Sequence, residues 1–292
     1  ADLNKEARTG SAVAYETAKK AFQGFRKSLS FHDVDCAFLK GFESSLIRKG
    51  HSSTTVGIYC RHLRAVYNKA IELGIAKQED YPFKKWVIPA GRNIKKAMSF
   101  EQIKLVLNYE PASETEEKAK DFWLFSYLCN GMNMKDICRL KYKNLMNEFI
   151  VFNRSKTINT KRKDLKPIQV PVSDEAKRII ERWGNKFETK ETYIFPVLSA
   201  NLAPIDERKK IQFFNRNISK HLKKIAQKLN IDVPLTNMSA RHSFATVLKR
   251  KGVSTEFISE SLGHTNLKTT ESYLDSFTDD VKKSTAMLLV DF

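Results

Sequence analysis

The sequence predicts a mainly α-helical chain with one small β-hairpin, divided into two domains. Three observations carry that expectation. Apolar residues recur at helical spacing through most of the chain, and many of these runs stop at a glycine. Two short runs, Phe149 to Phe152 (FIVF) and Ile168 to Val172 (IQVPV), read as strands. Between two helical regions lies Lys77 to Met98, whose two prolines, glycine and many lysines mark a linker.

A chain of 292 residues is long for one domain, and 41% hydrophobic content is ample for packed cores and excludes a disordered tail. The 51 Lys and Arg against 33 Asp and Glu leave a net charge of +18, which points to a polyanionic partner, most often nucleic acid. Cys36, Cys60, Cys129 and Cys138 form no C-x-x-C pair and sit in apolar surroundings, as reduced, buried thiols of a cytoplasmic protein do. No apolar run approaches the roughly 18 to 20 residues that span a bilayer, and no signal-peptide pattern is present. The chain opens at Ala1 without a methionine, which suggests a piece of a longer protein.

After a frayed start, Tyr15, Ala18, Phe22 and Phe25 follow helical spacing from Ala12. A second helix is expected from Asp35, with Phe38, Leu39, Phe42 and Leu46 on one face and a stop at Gly50. A third opens at Ser52 or Ser53 and buries Val56, Tyr59, Leu63, Val66, Tyr67 and Ile71 before Gly74. Its other face carries Arg61, His62, Arg64 and Lys69, placed either to meet phosphates or to face solvent. Residues 1–90 thus make a small helical domain, 91–98 the basic linker proper with Lys95 and Lys96, and 99–292 the second domain.

Two capping boxes, Ser99 with Gln102 and Ser113 with Glu116, open the second domain. The helix from Ser113 should bury Ala119, Phe122, Phe125 and Leu128 and break at Asn130-Gly131, ahead of a short helical piece with Ile137 and Leu140. The two strands follow, joined by the basic tip RSKTINTKRKDLKP. Helical pattern resumes at Ser173, with stops at Gly184, Gly252 and Gly263 and a last amphipathic stretch from Asp279 to Phe292.

Chemistry concentrates between Leu235 and Leu274. Arg241 and His242 are expected at the start of a helix, where free N–H groups favour a phosphate and a guanidinium can bind two of its oxygens. His264 follows Gly263 at a helix stop, and Tyr273 lies nine residues further on. A phenol, with a reference pKa near 10, needs cationic neighbours to act as a nucleophile. No metal-ligand cluster and no phosphate-binding Gly-rich loop is present.

Arg-His, then Leu-Gly-His, then nine residues to Tyr resembles the C-terminal signature of the tyrosine recombinases, or phage-type integrases. Residues 12–73 look like the helical, SAM-like core-binding domain of mobile-element integrases. LCNGMNMKDICRLK occupies the place of the family's first box, and NRSKT ahead of IQVPV that of its β-hairpin lysine.

The resemblance implies a core-binding domain followed by a tyrosine-recombinase catalytic domain, acting on double-stranded DNA attachment sites as a homotetramer without metal or ATP. It implies that Tyr273 attacks the phosphate and is linked to a DNA 3′ phosphate. Arg241 would stabilise charge on the phosphate oxygens, Lys156 protonate the departing 5′ oxygen, His264 bond the phosphate and His242 support the site. The hairpin also offers Arg154, Lys161, Arg162, Lys163 and Lys166, expected along the DNA backbone or in solvent.

Two positions depart from the family pattern: Asn133 stands where it has its first arginine, and Met238 where it has a histidine. Arg139 or Lys135, close in sequence, is the expected replacement for the missing charge. A type IB topoisomerase-like relaxase and a non-catalytic DNA-binding protein descended from an integrase are the alternatives.

Overall fold

In a computed structural model of the chain, the described residues are 9–91, 98–156, 158, 166–264, 267 and 270. The architecture is mainly helical with a small sheet, and the chain divides into two compact units, Ala1–Ile94 and Lys95–Phe292.

The first unit holds α1 (Thr9–Phe25), α2 (Cys36–Arg48) and α3 (Ser53–Glu72). Asp35 caps α2 and Ser52 caps α3, each accepting a first-turn N–H that would otherwise lack a partner. Phe22, Phe25, Phe38 and Phe42 pack together, Phe22 stacking on Phe42 with ring centroids 4.1 Å apart. Tyr67 is fully buried, and its hydroxyl lies 3.2 Å from the carbonyls of both Phe31 and Asp80, to which it donates. Val66, expected in this core, is instead 42% exposed. The buried stripe runs through Val56, Cys60 and Tyr67, and Val66 sits one residue, about 100° of helix, away from it.

The run read as a linker from Lys77 is also partly core. Pro82–Lys84 forms a short 3-10 turn, and Trp86 is buried with Tyr81, Phe83 and Ile88 against it. The apolar area of these rings outweighs the loop-like composition around them.

The second unit opens with α4 (Phe100–Leu107), where both bonds of the Ser99–Gln102 capping box are present. Next, α5 (Glu114–Leu128) is the central helix: Asp121 through Ser126 are all buried, so it is enclosed on every side. Against it pack α7 (Asp174–Trp183), α8 (Pro204–Lys228) and α9 (Asn237–Arg250). Ser113 caps α5, but Glu116 does not reciprocate. Its carboxylate turns to Lys228 Nζ (2.8 and 2.9 Å), the Tyr109 hydroxyl (2.6 Å) and the Ala112 N–H (3.2 Å).

After the short α6 (Met134–Arg139) come β1 (Leu145–Met146), β2 (Phe149–Phe152) and β3 (Ile168–Pro171), an antiparallel sheet in that order among the described residues. Buried Ile150 faces buried Val170 across the β2–β3 pair. Two-residue β1 is too short to announce itself in sequence. Further on, α10 (Thr255–Ser261) packs on α9 and β3.

The four cysteines are free thiols, Cys60, Cys129 and Cys138 buried and Cys36 partly so. Burial pushes the Cys60 and Cys138 thiols up to about 12. Among the described residues no helix is long and apolar enough to cross a membrane.

Candidate active site

The site is assembled from three turns and one helix. The first turn ends α5. Asn130 and Gly131 both take the left-handed conformation, at φ 53° and 61°, and reverse the chain. The Met132 N–H then donates to the carbonyls of Ser126 and Cys129, while the Ser126 hydroxyl donates to the Met132 carbonyl at 2.7 Å. The loop lies hard against α9: a Cβ on Gly131 would stand 2.7 to 2.9 Å from the Cα, Cβ and Cγ of Arg241. Only glycine permits that approach.

The helix carrying Arg241 begins earlier than the sequence suggests. Thr236 forms a reciprocal cap with Ser239, so α9 starts at Asn237 and Arg241 falls in its second turn rather than at its N-terminus. Trp123 Nε1 donates to Ser239 Oγ at 3.0 Å and ties the first turn of α9 to the central helix. Arg241 is 3% exposed. Its Nη1 donates to the Gly131 carbonyl at 2.9 Å and its Nη2 to the Leu262 carbonyl at 2.5 Å, with His264 Nε2 3.1 Å from that same Nη2.

The second turn is Leu262–Gly263–His264, at the end of α10. Gly263 has φ 62°, and a Cβ there would lie 2.4 Å from Ile168 Cδ1, so glycine seats the turn on β3. The partly buried His264 places Nδ1 2.9 Å from the hydroxyl of fully buried Thr270.

The third turn follows β2. Arg154, expected along a DNA backbone, is only 9% exposed, and its Nη1 approaches the Gly263 carbonyl at 3.5 Å. The next residue, Ser155, donates its N–H to the buried carboxylate of Asp136 at 2.9 Å, which ties this turn to α6. Lys156 comes directly after, exposed to solvent.

The fold thus brings Arg241, His264 and Arg154 to one place, with Lys156 beside Arg154 in the chain and buried His242 beside Arg241. Two guanidinium groups gathered around one turn suit an anion with several oxygens.

Other expected residues lie elsewhere. Arg139 is ion-paired with Glu207 of α8 at 2.5 Å, and Lys135 is exposed. Asn133 precedes α6 without capping it through its side chain, and Met238 is 41% exposed in the first turn of α9. Arg61 and Arg64 are exposed on α3, in the first unit. Tyr273, Lys95, Lys96, Lys161, Arg162 and the stretch from Asp279 lie outside the described residues.

Sequence reasoning passed over Asp136 and Thr270. The signal for Asp136 was a carboxylate set among Met134, Ile137 and Cys138, all buried. Thr270 offered only its place between His264 and Tyr273. Among the described residues no group of three His, Cys, Asp or Glu could hold a metal ion.

Comparison with known proteins covers both units. Residues 96–279 match the family model described as phage integrase family, and residues 1–87 that of the phage integrase SAM-like domain. The tyrosine recombinase XerA of Thermococcus kodakarensis is 27% identical over 245 residues, 83% of this chain and 78% of that protein. The Tn1549 transposon integrase, solved in complex with transposon right end DNA, superposes with a TM-score of 0.69 at 17% identity, covering 96% of this chain and 94% of that one. A lambda integrase dimer bound to a COC′ core site gives a TM-score of 0.65 at 15% identity, covering 91% and 88%. At these identities the two structures speak for the fold.

Proposed function

This chain belongs to the phage integrase family and is a tyrosine site-specific recombinase, and from that premise we propose that it integrates and excises a mobile element through a 3′-phosphotyrosyl intermediate. Tyr273 attacks the scissile phosphate. Its phenol gives up a proton to solvent as the bond from its oxygen to phosphorus forms and the bond to the 5′ oxygen breaks, and Lys156 gives the leaving oxygen its proton. The phosphotyrosine keeps the energy of the broken bond, so a 5′ hydroxyl from the partner strand can reverse the step without ATP.

Arg241 stabilises the charge on the phosphate oxygens, His264 bonds the same phosphate, and buried His242 supports Arg241. Arg154 supplies the positive charge missing at Asn133. Its burial and its approach to the Gly263 carbonyl favour it over Arg139, which Glu207 pairs with, and over surface Lys135.

The partner is double-stranded DNA, held at its phosphates by Arg61 and Arg64 of the first domain, Lys95 and Lys96 of the linker, and Lys161 and Arg162 of the hairpin. Binding should weaken steeply with salt. Recombination would take place in the cytoplasm within a homotetramer.

One observation carries this reading: the buried Arg241 guanidinium, fixed by two carbonyls and set against His264, with Arg154 reaching the same turn. The test is a nicked suicide substrate bearing the element's attachment site. The wild-type chain should form a covalent protein–DNA adduct that Tyr273→Phe does not form. A wild-type chain that binds this DNA but yields no adduct would overturn the reading and leave a DNA-binding protein without strand transfer.

A further inference from the structure

His264 is held through both ring nitrogens, and the two contacts together decide where its proton sits. Nε2 lies 3.1 Å from Arg241 Nη2, and Nδ1 lies 2.9 Å from Thr270 Oγ1. A guanidinium carries only donors and does not lose a proton in a protein, so the nitrogen that faces it must be the bare one. Nδ1 therefore carries the hydrogen and donates it to the Thr270 hydroxyl. Thr270 is 0% exposed, so water does not stand in for that hydroxyl.

In this arrangement His264 turns a lone pair, not an N–H, towards the place where Arg241 would meet a phosphate. Holding a phosphate oxygen requires the opposite polarity at Nε2. A ring that stays neutral then takes a proton from solvent on Nε2 and returns the one on Nδ1 to solvent, and Nδ1 becomes an acceptor that needs a donor. A hydroxyl can serve in both states, because it accepts in one and donates in the other. A methyl group or a carbonyl could not do both.

We infer that Thr270 is a positioning residue for His264, whose hydroxyl selects the Nδ1–H form of the ring in the DNA-free protein and reverses its own hydrogen bond when a phosphate oxygen takes Nε2–H. The inference rests on the reading of His264 as a phosphate ligand. It adds a residue that would act on the phosphate through His264. Thr270 is fully buried, and its hydroxyl acts through the ring.

The test uses the full chain labelled with ¹⁵N-histidine, in wild-type, Thr270→Val and Thr270→Ser forms. In the DNA-free wild type, the His264 ring should show one protonated nitrogen, Nδ1, and one bare nitrogen, Nε2. Thr270→Ser should keep that pattern. Thr270→Val, nearly the same shape without the hydroxyl, should lose the single Nδ1–H form.

In single-turnover cleavage Thr270→Val should slow the chemical step about tenfold, the effect of one hydrogen bond, without weakening DNA binding, and Thr270→Ser should restore the rate. A wild-type ring that carries its hydrogen on Nε2 would overturn the inference. So would a Thr270→Val protein that keeps both the wild-type spectrum and the wild-type rate. If the wild type forms no covalent adduct at all, the proposed function fails, while the spectra of the DNA-free protein still decide the role of Thr270.

Discussion

The carboxylate of Asp136 accepts the backbone N–H of Ser155 across 19 residues of chain, and so joins α6 to the turn that carries Arg154 and Lys156. A buried carboxylate is costly unless it is bonded, and this bond uses it to fix a turn. Asp136→Ala should leave the Ser155 N–H without its acceptor and let both cations drift. A misplacement of about 1 Å near reacting groups costs on the order of 10²-fold in rate. Asp136→Asn keeps an acceptor oxygen and should retain most of the activity. Single-turnover cleavage beside a gel-shift titration checks this, since DNA affinity should change little in either variant.

Arg154 and Arg139 are separated by their partners. Arg154→Ala should reduce cleavage by about 10² to 10³-fold, the usual effect of removing a donor to a developing charge. Arg139→Ala should leave cleavage near the wild-type rate and cost less than about 1 kcal/mol of stability, because its pair with Glu207 is partly exposed. The adduct assay with both variants gives the comparison, and equal losses would count against Arg154.

Gly131→Ala should damage the site from behind. The added methyl group meets the Arg241 backbone and side chain below 3 Å, at a position that already has φ 61°. Cleavage should fall sharply, and the thermal midpoint should drop by an amount equivalent to more than about 1 kcal/mol. Circular dichroism would verify that the helices remain.

Acid should expose the role of Glu116. The Lys228 ammonium and then the Tyr109 hydroxyl hold its carboxyl at about 2, below the ordinary 4.5. The folded-state value is depressed, so its contribution is complete above the unfolded value and is lost as pH falls from about 4.5 towards about 2. Glu116→Gln should cost about 1 to 2 kcal/mol at neutral pH, and this gap should narrow on acidification through that window. Denaturant unfolding at several pH values would show the two stabilities converging.

Much of the fold was legible because its signals are local. Ser99 with Gln102, the glycine stops and the apolar spacing of α1 to α3 act within a few residues. Glu116 was misread as the second half of a capping box because its real partner, Lys228, is 112 residues away. The Trp86 segment was misread because prolines and lysines announce a loop, whereas its rings find a core only after folding. In the site, Arg241 and His264 stood out by motif. Arg154 did not, because a buried arginine and a solvated one look alike within a basic hairpin. Arg154 lies against the Gly263 turn, 109 residues away, which no local pattern encodes.

Arg241 also bears on how DNA recognition and strand cleavage are separated. Its guanidinium is clamped within the protein by the carbonyls of Gly131 and Leu262. An arginine free to choose its rotamers gives up as much as about 2 kcal/mol of entropy when it is fixed. Here that ordering is completed when the protein folds. On the proposed function the encounter with DNA would not need to supply it, and affinity for the duplex would be left to the exposed lysines and arginines, whose contacts salt can tune. On that same reading the clamped side chain would act on one phosphate, with an effect seen in the rate of the chemical step rather than in the strength of binding.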